Sequence, residues 1–203
     1  MLSPRHKFSS QRGFTLVELL VVIAIIGILA AILLPVLGLV GDRARLAQTR
    51  AKYNQWSMAL ESYRFTYGFY PPAIPRQAEP VPMDTPTASR DVVKALGGRN
   101  TDGTPLSPED RRTHNRNQIE FYTFTDDDFL RGADGTVIGG EGLRLADAFN
   151  NPNIFIQTDH DGNGRVTAVA RGTLDGGALR QRLIIYSLQR AATPGSRDVG
   201  SWD

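Results

Sequence analysis

Cysteine is absent from the 203-residue sequence. That excludes disulfides, thiolate catalysis, zinc ribbons and iron–sulfur clusters at once. Histidine is scarce. His6, His114 and His160 stand far apart with no His-x3-His pair, so a histidine metal centre or a Ser-His-Asp triad would need assembly from distant segments. Glycine-rich phosphate loops, nucleophile elbows and paired catalytic carboxylates are missing too, and no enzymatic activity is expected. Basic charge is lacking where a nucleic-acid binder needs it. Residues 14–41 hold no Lys or Arg, and the part after residue 41 carries 20 basic against 20 acidic side chains. The pI of 9.1 reflects Arg5, Lys7 and Arg12 in the first thirteen residues. With no concentrated basic face, nucleic acid is not an expected partner.

What the sequence does contain is a long apolar run. Leu19 to Val40 makes 22 residues without a polar or charged side chain. As a helix rising ~1.5 Å per residue it would span about 33 Å, enough for a ~30 Å hydrocarbon core. A cleaved secretory signal fits poorly, because its apolar region is about 7–15 residues long and ends in a small-x-small site. A plain signal anchor leaves Glu18 unexplained, since a carboxylate within a bilayer costs about 2.5–3.5 kcal/mol on insertion scales. Flanking charge does not set the orientation, because Arg43, Arg45, Arg50 and Lys52 follow the run as Arg5, Lys7 and Arg12 precede it.

The stretch Arg12-Gly13-Phe14-Thr15-Leu16-Val17-Glu18-Leu19-Leu20-Val21-Val22 resembles the processing site and helix start of type IV prepilins and type II secretion pseudopilins. The resemblance implies cleavage by a membrane prepilin peptidase between Gly13 and Phe14, with methylation of the new Phe14 amine. It also implies an assembly role for Glu18, whose carboxylate would be offset by the Phe14 amine of a neighbouring subunit. Pro35 falls where the family commonly bends the helix. Physical chemistry is consistent with this: Gly13 leaves the backbone accessible just before a stiff helix. Phe14 and Glu18, four apart, also share one helix face, so an amine–carboxylate pair within one subunit stays open beside one between subunits.

Beyond residue 41 the pattern continues as an amphipathic helix. Leu46, Tyr53, Trp56, Leu60, Tyr63 and Tyr67 fall on one face, read as core packing against a sheet. Gly68 and Pro71-Pro72 close it. An unbroken helix from Phe14 to Tyr67 would be about 81 Å long, too long for one globule. Residues 71–88 are proline-rich and read as a linker or surface loop. Asp91 to Leu96 reads as a short helix stopped by Gly97-Gly98, 99–117 as polar turns, and Ile119 to Phe124 as a strand. Asp126-Asp127-Asp128 reads as a solvated loop. Residues 153–157, 165–170 and 182–188 are further strands, with turns at 161–164 and 175–177. The expected fold is α+β and pilin-like, a long N-terminal helix on a small antiparallel sheet. Its expected divisions are a cleaved leader 1–13, a transmembrane and assembly helix 14–41, and a soluble periplasmic head 42–203.

The C-terminal third sharpens the resemblance. Asp147-Ala-Phe-Asn-Asn-Pro152, Tyr186-Ser187-Leu188 and Asp198-Val-Gly-Ser-Trp202 resemble segments of the major pseudopilin of type II secretion. Residues 72–146 are not covered by that likeness. The family holds calcium in its C-terminal loop, but here Gln189-Arg190-Ala191-Ala192 replaces the expected Gly-Ala-Asp-Gly and only Asp198 remains. Asp159-His-Asp161-Gly-Asn163-Gly164 offers oxygen side chains at alternate positions, as an EF-hand loop begins, but Ala170 stands where its bidentate acid belongs. Two readings stay open: a calcium site of Asp159, Asp161 and Asn163 joined by Asp198, or a hairpin turn.

The resemblance implies a structural subunit anchored by one inner-membrane pass. Its head would lie in the periplasm and the subunit would assemble into a pseudopilus for protein export. The implied partners are prepilin peptidase, copies of itself, minor pseudopilins and an inner-membrane assembly platform. A type IV pilin or minor pilin for adhesion, motility or DNA uptake is the alternative. A membrane-anchored binding domain with a pilin-type leader, specialised at 72–146, is a second.

Overall fold

The computed structural model describes residues 14–167, 178–188 and 198–201, with the backbone alone at 33–39 and at Thr167. The leader 1–13 with Gly13, the turn at 175–177, residues 189–192 and Trp202 lie outside the described residues. In chain order the elements are α1 (Leu16–Tyr67), β1 (Val81–Pro82), α2 (Pro86–Gly97), α3 (Pro108–Thr113), β2 (Ile154–Thr158), β3 (Val166–Thr167), β4 (Ala178–Leu179), β5 (Leu183–Ser187) and β6 (Val199–Gly200). The architecture is α+β and pilin-like: an N-terminal helix, two further helices and a small antiparallel sheet. Two units meet between Asp42 and Arg43, within α1.

In the first unit α1 is apolar all round. Leu19, Leu20, Val21, Val22 and Ile23 follow one another and all are exposed, so no face is set aside for a core. The helix continues through Pro35. Among the described residues no helix is long and apolar enough to cross a membrane.

In the second unit, Arg43–Asp203 and here called the head, α1 buries the expected stripe. Tyr53, Trp56, Leu60 and Tyr63 are all buried. They pack with Ile74, Met83, Val92, Leu96, Ile154, Ile156, Leu183 and Ile185. Burying a large apolar side chain is worth about 1.5–3 kcal/mol, so this stripe is the main attachment of α1 to the head. Gly68 ends the helix, its N–H bonded to the Arg64 carbonyl at 2.7 Å.

The sheet has strand order β1-β2-β5-β6, antiparallel throughout. Ile154 faces Ser187 and Thr158 faces Leu183 in the central pair. Leu183 and Ile185 join the helix-side core. Ile184 and Tyr186 turn the other way, onto Val166 and Leu179 of the β3–β4 ribbon. Burial on both faces explains why β5 reads as a continuous apolar run.

Several expectations need correction. Ile119 to Phe124 forms no strand: the N–H groups of Phe121 and Tyr122 donate to the Leu96 carbonyl at the end of α2, at 2.7 and 3.1 Å. Their rings meet the helix stripe instead, Tyr122 edge-on to Trp56 at 6.4 Å and Phe121 to Tyr63 at 5.4 Å. The proline-rich stretch contains β1, where Pro82 is tolerated on an edge strand. It also contains the start of α2, because the Thr85 hydroxyl accepts from Ala88 N at 3.3 Å and Pro86 suits the first helical position. Ser107 and Pro108 begin α3 in the same way, within the stretch read as turns. The glycine stop of α2 holds: Gly98 has φ of 64°, and a Cβ there would lie 2.9 Å from the Gln118 carbonyl carbon and oxygen. Both facts restrict the position to glycine.

Candidate functional site

The helix start is built by its own side chains. Thr15 precedes α1, and Glu18 is the third helical residue. Glu18 Oε2 accepts from the Thr15 N–H and from the Thr15 hydroxyl, each at 2.9 Å, and the Glu18 N–H donates to Thr15 Oγ1 at 3.2 Å. This is a reciprocal capping box, readable in Thr-Leu-Val-Glu but missed above. Within this chain Glu18 therefore bonds Thr15. Phe14 is the first described residue and is exposed.

A buried polar layer ties α1 to the head. Lys52 Nζ lies 3.4 Å from Asp128 Oδ1, with both side chains almost wholly buried. It also donates to the carbonyls of Asp127 and Ala146. Asp128 Oδ2 accepts from Thr125 N at 2.9 Å, and the Tyr122 hydroxyl lies 3.2 Å from both carboxylate oxygens. The acidic run is solvated at Asp126 and Asp127, but its last member is not: Asp128 is 1% exposed. The neighbouring sequence gives no hint of this, because the nearby Arg131 pairs with Asp127 and the partner of Asp128 lies on α1. Burial depresses the Lys52 pKa, against attraction to Asp128, Asp147 and Asp127.

The second half of that layer accounts for the loose C-terminal likeness. Asp147 Oδ1 accepts from Phe149 N and Asn151 N at 2.9 and 3.0 Å, and Oδ2 from the Ser187 hydroxyl at 2.9 Å. Asn151 Nδ2 donates to the Leu188 carbonyl at 2.8 Å, and Ala148 N to Thr49 Oγ1 at 3.2 Å. Residues 147–152 therefore form a buried turn joining α1 to the end of β5. Burial pushes the Asp147 carboxyl up, against its N–H and hydroxyl donors and the Lys52 charge.

The 159–164 loop gathers Asp159, Asp161 and Asn163, but their oxygens are already engaged. Asp159 accepts from Gly162 N at 2.7 Å and Gly164 N at 2.8 Å. Asp161 accepts from Asn163 N and Nδ2, and Asn163 Oδ1 from Arg165 N. Asp198 stands just before β6. Among the described residues no group of three or more His, Asp or Glu side chains is arranged to hold a metal ion. Calcium favours six to eight oxygens; the loop's own N–H bonds satisfy a hairpin turn and still leave each oxygen a lone pair, so both readings stand and calcium is the variable to test. We expect thermal melts of the full chain in millimolar calcium and in chelator to coincide. Asp159→Asn should lower the melt equally in both; a calcium-only shift lost in Asp159→Asn would favour the metal reading.

Residues 8–34 match a family model described as the prokaryotic N-terminal methylation motif. The N-terminal part of the chain is similar to type IV pilins and to a type II secretion core protein. It is 39% identical over 61 residues to the type IV major pilin protein PilE of Neisseria gonorrhoeae, across 30% of this chain and 36% of that one. It is 43% identical over 54 residues to the type IV major fimbrial protein FimA of Dichelobacter nodosus, across 27% and 35%. To the type II secretion system core protein G of Klebsiella michiganensis it is 34% identical over 87 residues, across 37% of this chain and 61% of that one. This pilin-like chain thus covers 36% of the gonococcal pilin's length and under two thirds of core protein G. No solved structure matches it significantly.

Proposed function

We propose that the chain is a structural, non-enzymatic subunit of a type II secretion pseudopilus. Prepilin peptidase would cut between Gly13 and Phe14 and methylate the new terminus. The apolar helix 14–41 would hold the subunit in the inner membrane by a single pass, with the head 42–203 in the periplasm. Assembly with further copies and minor pseudopilins on a membrane platform would follow. The observation that carries the pseudopilin reading is the match to core protein G, which extends over a larger share of that protein than of the pilins. It is supported by the buried Asp147–Ser187–Leu188 layer, which lies in the segments that resemble the major pseudopilin. The 22 residues Leu19 to Val40 without a polar or charged side chain support the membrane role, and the capping box supports a helix that starts immediately after the cut.

The stronger identity to pilins over fewer residues favours a second reading, a type IV pilin. Deleting the gene in its host separates the two. Loss of protein export with surface motility retained supports the pseudopilus, and the converse supports the pilus. Processing is tested separately. Mass spectrometry of membrane-extracted protein should find Phe14 at the N-terminus with one added methyl group. An intact Met1 in cells with active peptidase would falsify the processing step and leave the head's role to be decided by the export assay.

A further inference from the structure

Where α1 ends, two cavities of about 680 and about 610 Å³ share Arg64, Gly68 and Arg182 and so form one trough in the head. Its size is in the range of ligand-binding clefts. Three guanidinium groups from three segments line it: Arg64 on α1, Arg76 in the loop before β1, and Arg182 before β5.

The guanidinium groups are held in place. Arg64 lies 3.4 Å from Glu61 and over the Tyr70 ring at 5.4 Å. Arg76 Nε donates to the Asp159 carbonyl at 3.2 Å. Its Nη2 lies 3.1 Å from where a Gly162 Cβ would stand, and the Gly162 φ of 80° favours glycine there. Among the described residues neither Arg76 nor Arg182 forms an ion pair. Two acids line the trough beside the three arginines: Glu61, paired with Arg64, and Asp159, whose two oxygens accept N–H bonds. The lining thus carries one net positive charge, with the Arg76 and Arg182 guanidinium groups outside any ion pair among the described residues.

Its apolar side is as unusual. Phe65 borders the outer cavity and is 94% exposed, and Phe69 in the inner one is 54% exposed. A lone exposed aromatic is ordinary, but aromatic rings interleaved with arginine make up the composition of protein interfaces. Planar guanidinium groups match carboxylates bidentately. With two guanidinium groups outside any ion pair and no extended basic stripe, the trough suits separate carboxylates rather than a phosphate backbone.

We propose that this trough is a docking site for an acidic peptide segment of a partner protein, with carboxylates on Arg76 and Arg182 and apolar side chains on Phe65 and Phe69. This goes beyond the filament role, which rests on the N-terminal helix.

The test uses the full chain in detergent and a fluorescent octapeptide alternating aspartate and phenylalanine, with its asparagine counterpart as control. Anisotropy should show the acidic probe bound at least tenfold more tightly than the amide probe. Arg76→Glu with Arg182→Glu should abolish that preference. The same double reversal at the exposed Arg111 and Arg116, outside the trough, should preserve it. Phe65→Ser should weaken the acidic probe several-fold while leaving the far-ultraviolet spectrum unchanged. Equal affinity for the two probes overturns the proposal. So does equal loss in both double reversals, which would mean general charge attraction, or self-association of the chain that excludes the probe.

Discussion

Asp128→Ala should destabilise the head by about 3–5 kcal/mol, the usual cost of removing one partner from a buried ion pair. Domains of this kind are stable by about 5–15 kcal/mol, so this single change consumes a large share of the margin. The loss arises at Lys52. Its ammonium is buried on α1 and bonded to Asp128, Asp127 and Ala146, and removal of the carboxylate leaves a buried charge held by two carbonyls. Thr125 N and the Tyr122 hydroxyl also lose their acceptor. The pH dependence follows from the sign of the Lys52 shift. Its folded pKa is already below its ordinary value through burial, and without Asp128 it falls further. Between the folded value and about 10.4 the unfolded chain then binds more protons than the folded one, so the variant's stability rises with pH across that window. The deficit should be largest at neutral pH and shrink toward alkaline pH. Lys52→Met with Asp128→Asn removes both charges yet keeps an acceptor for Thr125 and Tyr122, and it should recover at least half of the loss. Urea unfolding of the full chain in detergent, followed by tryptophan emission, reads all three, since Trp56 is buried. A deficit that does not change with pH, or no recovery in the double variant, would dismiss the ion pair as the cause.

How much of this was legible in the sequence depends on the range of the interaction. The stripe Tyr53, Trp56, Leu60 and Tyr63 was readable because helical periodicity is local, and its burial is as expected. Residues 182–188 were readable because a central strand covered on both faces must be apolar throughout. The start of α2 at Thr85-Pro86 was equally local, yet proline density concealed it: prolines that argue against a helix interior favour its first position. Ile119 to Phe124 has strand composition but no strand partner. Its N–H groups reach the exposed carbonyl at the end of α2, and nothing in the sequence spacing announces that.

The polar layer was the least legible part. Lys52 and Asp128 are 76 positions apart, and so are neither a helical pair nor a turn; only the packing of α1 on the head brings them to 3.4 Å. Asp147 was noticed through a likeness in its segment, without any statement of what it does. The structure supplies that: it fastens its own turn to Ser187 and so fixes the end of β5. At the 159–164 loop the alternation of oxygen side chains was real, but alternation serves a turn as well as a metal. The N–H bonds of the loop show that the turn closes on these oxygens, a backbone property no residue count contains, and the calcium melts decide between the two.

Glu18→Ala and Glu18→Gln should both enter the membrane and both fail to polymerise, with crosslinked ladders reduced by an order of magnitude or more. The pair separates two roles that one side chain holds. In the single chain Glu18 caps its own helix by accepting from Thr15. A Gln at this position retains a capping acceptor, whereas Ala removes it at a cost of about 1 kcal/mol at the first turn. In an assembled filament the proposed role is charge: the carboxylate meets the Phe14 amine of a neighbouring subunit, which only an acid can offset. Membrane entry should improve in both, because an ionised group in the bilayer costs about 2.5–3.5 kcal/mol on insertion scales. If Gln assembles like the unaltered chain and Ala does not, the cap is what assembly needs and the amine pair is wrong. If both assemble normally, Glu18 has no part in polymerisation. The amine is also required, so the unaltered chain in cells without prepilin peptidase should give the same empty ladder as Glu18→Gln. A full ladder from the uncut chain would show that the Phe14 terminus contributes nothing, whatever the Glu18 variants do.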